Sequence, residues 1–453
     1  MNNLPTYNAD LHLHSPYSIA VSQKISLDTL NNTASMKGID VLGTGDITQP
    51  NWLSYMRKNL EKRENSLYFK DTAFILQTEL EDAESIHQLV LLPDFSAVDA
   101  LVERISPYVK NITGRWAGRP HVHRSPGELV EIVEEVNGLI GPAHAFTPFK
   151  SIFRQGKFGS LRSAYGTSVK KLAFLELGLS ADTYLADRME ELQNITFISN
   201  SDAHSEGVDS VGREFNRFQI EALNFEEIKK ALLRKEGRKI ILNVGLDPRL
   251  GKYYKMFCTK CRRRTIRSIV KDSSHMQNSV KNLFGFPVKK WDDDFLYYEF
   301  PTTQKEQKFL QLVAKKRVEC PACRKNIQLN RDPKKQNAKV PTLQLGVSER
   351  INELGTWERA HHPVHRPPYL HIIPLIELLA KILGIKSLRS KRVQIAYQNL
   401  LKDNGKECFI LVDKDLTQMA EKYRKVAEVI QAFRDNNIAI TPGGGGKFGE
   451  LEL

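Results

Sequence analysis

The first half of the chain alternates short apolar runs with longer polar stretches whose spacing suits helices. Between residue 8 and about residue 244, eight runs of β-branched or apolar residues are candidate strands. These candidate strands are 8–14, 39–45, 73–79, 87–92, 138–144, 172–178, 195–201 and 239–244. Strands separated by helices predict βαβ units around a mainly parallel sheet or barrel.

The pattern changes twice further along the chain, and each change predicts a domain boundary. It breaks at Gly245-Leu246-Asp247-Pro248, and residues 250–345 then contain four of the five cysteines and two polar insertions. From Gly346 helix patterns dominate, including 372–383 and 416–434. A chain of 453 residues is too long for one ordinary core. We therefore expect domains at 1–245, 246–345 and 346–453.

Metal-binding side chains lie at the ends of the candidate strands. His12 and His14 are two residues apart, as are Asp202 and His204, so each pair points to one side of a strand. Further candidates at strand ends are Asp46, Glu79, His87 and His144. Active-site residues of such barrels come from the C-terminal ends of strands, and imidazole with carboxylate suits Zn, Mn or Fe. The sequence therefore predicts a metal-dependent enzyme site.

Four cysteines form two Cys-x-x-Cys pairs, Cys258 with Cys261 and Cys320 with Cys323. Paired motifs of this kind indicate a structural zinc site, because four thiolates close the tetrahedron and leave no position for chemistry. The spacer between the pairs is longer than a compact zinc ribbon needs, so a thiol pair or unrelated cysteines stay as alternatives. Cys408 stands alone and is expected to be a buried core thiol.

The positive charge of the chain is concentrated in one segment. Residues 252–339 contain 22 Lys and Arg against 8 Asp and Glu, whereas the rest of the chain contains 44 against 45. A basic block favours a polyanion partner, most often nucleic acid. The alternative is a solvated or partly disordered insertion. The chain starts without a leader pattern and has no apolar run of spanning length, so we expect a cytoplasmic, nucleoid-associated protein and no membrane partner.

Taken together, these motifs resemble the polymerase-and-histidinol-phosphatase (PHP) superfamily. The resemblance rests on Asp10-Leu11-His12-Leu13-His14, Gly43-Thr44-Gly45-Asp46, Glu79, His87, Pro142-Ala143-His144 and Ser201-Asp202-Ala203-His204. It implies a distorted (β/α)7 barrel with two or three metals for phosphoester hydrolysis.

The whole chain is similar to the endonuclease Q family within that superfamily. Further supporting stretches are Leu175-Glu176-Leu177-Gly178-Leu179-Ser180, Gly212-Arg213-Glu214, Gly346-Val347-Ser348-Glu349-Arg350-Ile351 and His365-Arg366-Pro367-Pro368-Tyr369. The resemblance implies an α/β PHP barrel, a four-cysteine zinc module and a helical C-terminal DNA-binding domain. It also implies cleavage of damaged DNA on the 5′ side of uracil, hypoxanthine, xanthine and abasic sites.

The number of active-site metals is left open by one departure from the superfamily pattern. Many three-metal PHP enzymes have another histidine shortly after the first pair, where this chain has Tyr17-Ser18-Ile19-Ala20. We therefore expect two or three divalent ions (Zn, Mn or Mg) in the barrel and one structural Zn. By the resemblance, the direct ligands are His12, His14, Asp46, Glu79, His87, His144, Asp202 and His204.

Three carboxylates and an arginine carry more specific expectations. Glu79 is the candidate to bridge two ions, and Asp202 is the candidate to orient the attacking water. Arg213 could hold the scissile phosphate, or it could form a salt bridge with Glu214 or Asp209. Glu176 is either a carboxylate of the metal site or a structural residue.

The partner and reaction are expected to be damaged DNA and endonucleolytic cleavage. The alternatives are a PHP phosphatase or 3′-5′ exonuclease, and a DNA-binding adaptor with a decayed barrel. A replication clamp is a further partner that the sequence itself does not support. Trp52, Phe146, Phe149 and Phe153 could stack on bases or pack at the barrel rim. The expected phosphate contacts are Arg262, Arg263, Arg264, Lys315, Lys316, Arg317, Arg324 and Lys325.

Overall fold

The fold is described from a computed structural model of the chain. The structure describes residues 4–110, 112–258, 260–269, 280–281, 287–291, 295–300, 302–314, 318–320, 322–323, 326–327 and 343–452. Within these parts of the chain, no helix is both long and apolar enough to cross a membrane.

The described elements alternate through the first half of the chain and become mainly helical at the C-terminal end. The strands of the first half are β1 (Thr6–Asp10), β2 (Val41–Gly43), β3 (Glu61–Arg63), β4 (Ser66–Phe69), β5 (Thr72–Glu81), β6 (His87–Leu92), β7 (Leu139–Pro142), β8 (Leu175–Glu176), β9 (Phe197–Ile198), β10 (Phe215–Gln219) and β11 (Lys239–Leu246). The later strands are β12 (Phe257–Cys258), β13 (Arg264–Ile269), β14 (Val280–Lys281), β15 (Pro287–Trp291), β16 (Phe295–Phe300), β17 (Val318–Glu319), β18 (Asn326–Ile327), β19 (Leu343–Gln344), β20 (Tyr369–Ile372), β21 (Ile440–Thr441) and β22 (Glu450–Leu451).

The helices include several that begin at side-chain caps. They are α1 (Leu27–Lys37), α2 (Pro50–Asn59), α3 (Phe95–Ile105), α4 (Pro126–Glu135), α5 (Leu161–Tyr165), α6 (Thr183–Ala186), α7 (Phe225–Leu232), α8 (Thr303–Ala314), α9 (Val347–Leu354), α10 (Leu375–Ile382), α11 (Lys391–Asn404), α12 (Glu407–Val412) and α13 (Leu416–Arg434). Short 3-10 helices cover Ser106–Tyr108, Gly166–Lys171, Glu190–Leu192 and Pro248–Leu250. In α1, Ser26 forms a capping box with Thr29, and Gly38 ends the helix in the left-handed region.

The large sheet is mixed, with the order β20-β11-β10-β1-β2-β5-β4-β3, and β6 and β7 continue from β5. Strands β1, β2 and β5 pair in parallel, whereas β1 with β10, β10 with β11, β5 with β6 and β6 with β7 are antiparallel. The prediction of a mainly parallel sheet is therefore wrong for this sheet. The reason for the β5–β6 pair is the loop of residues 82–86, since a parallel crossover needs a dozen or more residues.

The two strands β8 and β9 form a separate parallel pair beside this sheet. No sheet closes on itself among the described residues, so the predicted barrel is not confirmed. The fold is a mixed α/β fold. Strands β5 and β6 are buried over almost their whole length, including the polar residues in the second half of β5.

The spacer between the two cysteine pairs contributes a small α/β unit. Strands β14, β15, β16, β13, β12 and β19 form one sheet in that order, and α8 packs against β16. The core of this unit contains Tyr298, Phe300 and Phe309 together with Cys258 and Cys320. The described residues between the two cysteine pairs thus form a folded insertion.

The C-terminal helices are tied to the large sheet through β20, which pairs in parallel with β11. Helices α10 and α13 occupy the segments that the hydrophobic pattern predicts as helical, and α10 also packs against α11 and α13. This attachment places α10 next to the edge of the sheet that carries the candidate ligands.

Candidate metal centre

A first group of candidate ligands combines His12, His14 and Asp202. Their ligand atoms all lie within 4.8 Å of one another. The Nε2 atom of His14 is 3.0 Å from Oδ1 of Asp202, and Nε2 of His12 is 3.8 Å from the same oxygen. A parallel bridge between Leu13 and Ala203 brings the two segments together. Two imidazoles and a carboxylate at this spacing fit a divalent transition metal.

A second group combines Glu79, His87 and His144, and all three residues are buried. The Oε1 atom of Glu79 is 2.9 Å from Nδ1 of His87 and 3.0 Å from Nε2 of His144. Glu79 lies on β5 and His87 begins the antiparallel neighbour β6, so strand pairing sets their approach. The sequence motif predicts the gathering of these six residues, and the structure brings them together.

Glu79 also faces the first group. Its Oε1 atom is 3.6 Å from Nε2 of His12, and its Oε2 atom is 3.7 Å from Nε2 of His14. Glu79 therefore belongs to the second group and also lies within 3.7 Å of both histidines of the first group. A carboxylate in this position could contribute to both groups.

The buried polar atoms of this centre fit bound metal ions. Nε2 of His12 and Oε2 of Glu79 are buried and have no hydrogen-bond partner. Such atoms are costly to bury unless a partner or a metal satisfies them. Burial alone would raise the pKa of Glu79, but the charge of His87 and hydrogen bonds from His144 and His87 hold it well below its usual range.

Two buried carboxylates lie behind the histidines of the first group. Both oxygens of Glu176 lie within 3.0 Å of Nδ1 of His12, and Oδ1 of Asp46 is 3.0 Å from Nδ1 of His14. The other oxygen of Asp46 accepts from the backbone N–H and hydroxyl of Ser15. Carboxylates in this position orient a metal-binding histidine and fix its tautomer. This geometry supports an orienting role for Asp46 behind His14 and does not support the predicted direct ligation.

Three candidate residues have a strained backbone at the turns that follow strands. The φ angles are 39° at Asp46, 30° at His144 and 49° at Asp202. A positive φ is uncommon for residues other than glycine, and such residues concentrate at functional sites. The sharp turns point these side chains toward the centre.

His204 and Arg213 line the cavity next to the two groups. His204 is not in either group, and its Nδ1 is 3.5 Å from Oδ1 of Asp202 and 2.8 Å from the backbone oxygen of Asp202. Arg213 donates from Nε to the carbonyl of Ser201. Both residues line a cavity of about 610 Å³ that also reaches His87, His144 and Asp202. A group held by Arg213 would therefore lie beside the candidate ligands.

Arg119 is a residue of this site that the sequence analysis missed. Its Nη1 atom is 3.6 Å from Oε2 of Glu79, and it lines the same cavity. The preceding Gly118 offers a signal, because a Cβ atom there would lie 2.7 Å from Oδ2 of Asp46 and 2.5 Å from Oγ of Ser18. Only a glycine permits this close approach.

The four paired cysteines form a third group, away from the histidines. The Sγ atoms of Cys258 and Cys323 are 3.8 Å apart, and those of Cys261 and Cys320 are 3.7 Å apart. These separations are too long for disulfides and match the edge of about 3.8 Å expected for a tetrahedron with Zn–S bonds of about 2.3 Å. Cys408 is buried, as expected for a core thiol.

The predicted phosphate contacts differ in how accessible they are. Arg262 is exposed, whereas Arg264 is buried, donates to the carbonyl of Pro442 and lies over the ring of Phe295. This packing does not support a phosphate contact for Arg264. Arg263 is half-buried. The remaining predictions, Lys315, Lys316, Arg317, Arg324 and Lys325, lie outside the described residues.

The aromatic candidates also separate by burial. Trp52 is buried, and the buried rings of Phe146 and Phe153 stack on each other with centroids 5.1 Å apart. Phe149 is 51% exposed and lines the cavity. Of these four rings, Phe149 is the one placed to meet a ligand.

Comparison with known proteins identifies relatives over part or all of the chain. Residues 374–437 match the family described as "MJ0043 C-terminal domain". Protein MJ0043 of Methanocaldococcus jannaschii is 34% identical over 315 residues, which are 68% of this chain and 31% of that relative. The chain therefore spans about a third of the length of that relative. Protein YqxK of Bacillus subtilis is 28% identical over 98% of both chains.

Two solved structures match nearly the whole chain at 34% identity. One is the lesion-specific endonuclease PfuEndoQ from Pyrococcus furiosus, with a TM-score of 0.80 over 99% of this chain and 96% of that chain. The other is endonuclease Q in complex with a 27-mer duplex substrate with an abasic lesion at the active site, with a TM-score of 0.79 over 99% and 97%. The mixed α/β fold, the ligand groups and these matches define an endodeoxyribonuclease. The chain belongs to the endonuclease Q family.

Proposed function

We propose that this protein is a DNA repair endonuclease that hydrolyses the phosphodiester on the 5′ side of deaminated bases and abasic sites. The proposed deaminated bases are uracil, hypoxanthine and xanthine. The observation that carries the proposal is the pair of adjacent ligand groups that meet at Glu79 and open onto the cavity lined by Arg119 and Arg213. The match to an endonuclease Q bound to an abasic duplex supports DNA as the substrate.

The two ligand groups suit divalent ions, and we propose that His12, His14 and Asp202 hold one and Glu79, His87 and His144 hold another. Bound divalent ions would polarise a phosphoryl oxygen and make water a stronger nucleophile at neutral pH. The geometry supports two ions of the two or three expected, and their identity as Zn, Mn or Mg is part of the proposal. The Cys258, Cys261, Cys320 and Cys323 group would hold a structural Zn.

The chain's own residues would position the substrate around this centre. Arg213 and Arg119 border the cavity, and a guanidinium can make two parallel hydrogen bonds to a phosphate. Asp202 presents a side chain that is 26% exposed beside the buried ligands, so its carboxylate can accept a hydrogen bond from the attacking water. Lys150, Lys252 and Lys381 add positive charge around the same opening. These charges would hold the DNA backbone against the centre.

The finer architecture belongs to the same proposal. The strands that carry the ligands would form the distorted (β/α)7 barrel of residues 1–245, followed by the basic zinc module at 246–345 and the helical DNA-binding domain at 346–453. A replication clamp stays a possible partner in this proposal, but no sequence motif supports it. A repair enzyme acts on the chromosome, so the proposed location is cytoplasmic and nucleoid-associated.

The proposal is tested with end-labelled duplexes that each contain one uracil, hypoxanthine, xanthine or abasic site, and with an undamaged duplex. The protein is loaded with Zn, Mn or Mg, and products are mapped on a sequencing gel. We expect one internal nick at the 5′ side of the lesion and no cut in the undamaged duplex. Stepwise shortening, or release of terminal phosphate alone, would instead indicate the exonuclease or phosphatase alternative.

A further inference from the structure

Lys37 is a fully buried lysine at the last position of α1. Its Nζ atom donates to Oε1 of Glu407 at 2.8 Å and to the carbonyl of Val208 at 2.9 Å. Lysine and glutamate are almost never fully buried unless they are paired. A buried ion pair often contributes little to stability, so the Lys37–Glu407 pair is a candidate for a positioning role.

Glu407 connects the pair to a wall of the cavity. Its Oε1 atom also accepts from the backbone N–H of Leu375, the first residue of α10, and its Oε2 atom accepts from the hydroxyl of Tyr397. Helix α10 carries Glu377 and Lys381, which line the cavity. One carboxylate thus fixes the start of the helix that forms this wall.

Lys37 connects the pair to a second part of the chain that borders the cavity. Val208 lies in the segment of residues 205–212, which runs from His204 to Arg213. Thr33, one turn before Lys37 on α1, donates to the carbonyl of Glu206 in the same segment. Helix α1 therefore holds the segment at two carbonyls, and both ends of the segment border the site.

We propose that Lys37 and Glu407 are positioning residues that join the 205–212 segment and α10 into one rigid frame around the cavity. The role of this pair in DNA cleavage rests on the proposed function. A shift of about 1 Å in reacting groups can cost on the order of 100-fold in rate, so a firm hold on His204 and Arg213 would affect turnover. Neither Lys37 nor Glu407 lines the cavity, so neither would contact DNA there.

The test uses the double variant Lys37→Met/Glu407→Gln, because a single change would leave one buried charge unpaired and could prevent folding. Glutamine keeps an acceptor for Leu375, so α10 stays in place while the hold on Val208 is lost. We expect hydrogen exchange of the 205–212 amides to become faster in the full-length variant, while exchange of Leu375–Ile382 is unchanged. We also expect kcat for nicking to fall about 10-fold or more, with KM for the lesion duplex within about two-fold.

A matched control is the double variant Arg217→Met/Asp413→Asn. Arg217 and Asp413 also pair across the sheet and the C-terminal helices, at 2.6 and 2.7 Å, but the other side-chain partner of Arg217 is Asn8. This variant should keep both kcat and the exchange rate of residues 205–212.

Three results would overturn the proposal: unchanged exchange of residues 205–212 in the Lys37→Met/Glu407→Gln variant, faster exchange with an unchanged kcat, or an equal loss of kcat in the control. If the wild-type protein makes no nick, the proposed function fails instead. In that case the exchange rates alone decide whether the buried pair holds the segment.

Discussion

Both carboxylate oxygens of Glu176 lie within 3.0 Å of Nδ1 of His12, and both side chains are buried. The same carboxylate accepts from the backbone N–H of His144 and from the side chain of Asn200. Glu176 therefore fixes one histidine in each ligand group. It leaves Nε2 of His12 as the atom that faces Glu79 and Asp202.

Replacing Glu176 with Gln should weaken both metal binding and cleavage without unfolding the protein. Outer carboxylates of this kind typically contribute about 10–100-fold to metal affinity or activity. Metal titration by calorimetry and single-turnover nicking check the two effects. Glu135→Gln, at an exposed glutamate that pairs with Arg104, should change neither. Unaltered metal affinity in Glu176→Gln would contradict the orienting role.

Gly118→Ala should disturb the centre through steric contact alone. The new Cβ atom would lie 2.7 Å from Oδ2 of Asp46 and 2.5 Å from Oγ of Ser18. Since neither contact can be sustained, Asp46 must move and His14 loses its orientation. We expect nicking to fall by about 10-fold or more at saturating DNA.

The control for this change is Gly159→Ala, where the nearest atom to the new Cβ, on Leu354, is 3.9 Å away. Gly159→Ala should cleave at the wild-type rate. Equal rates for the two variants would show that the approach of Gly118 to Asp46 has no role in the site.

Cys258→Ser should remove one metal ion per chain and lower DNA affinity. Native mass spectrometry of the wild type should show one zinc ion that survives conditions under which the histidine site is stripped, because a closed thiolate site has no open position. Loss of the ion should unfold the small core around Phe300 and Phe309. Cys408→Ala should keep the ion, and retention of a full zinc complement in Cys258→Ser would refute the four-cysteine site.

Asp82 should make the protein less stable as the pH rises through the acid range. Burial raises the pKa of Asp82 to about 6, despite hydrogen bonds from the backbone of Ile86 and the side chain of Gln88. A carboxyl whose pKa is higher in the folded state favours folding when it is protonated. The contribution of Asp82 to the free energy of unfolding is complete below the unfolded pKa of about 3.9. It is lost as the pH rises through the folded pKa of about 6.

Urea unfolding of the wild type and of Asp82→Asn between pH 4 and pH 7 measures this contribution. The stability difference, wild type minus variant, should decrease by about 2 kcal/mol across the interval and then become constant. A difference that is constant across the whole range would contradict the raised pKa.

The candidate ligands could be predicted from the sequence because a short motif fixes their local geometry. His12 and His14 share one side of an extended segment, and each further candidate lies at one end of a recognisable apolar run. The positions of Asp46 and His204 relative to the two groups could not be predicted. The position of Asp46 depends on the hydrogen bonds between its Oδ2 atom and Ser15, and that of His204 depends on the turn at Asp202. A pattern of residue types does not specify either contact.

Other features depend on contacts between distant parts of the chain. Glu176 is 164 residues from His12, and Arg264 is 178 residues from the Pro442 carbonyl that it contacts. The antiparallel pairing of β6 with β5 and β7 likewise follows from short connections and register, which the period-two pattern does not specify. Long-range packing, and not local preference, therefore decides which charged residues are available to DNA.

The most direct test of the account is single-turnover cleavage of a uracil-containing duplex by the wild type and by Asp202→Ala, with DNA retention measured on the same samples. The account predicts a nick 5′ of the uracil for the wild type and no nick for Asp202→Ala, with DNA affinity within a few-fold because positive charge elsewhere holds the backbone. Cleavage by Asp202→Ala at the wild-type rate would contradict the assignment of the His12, His14 and Asp202 group as part of the nuclease site.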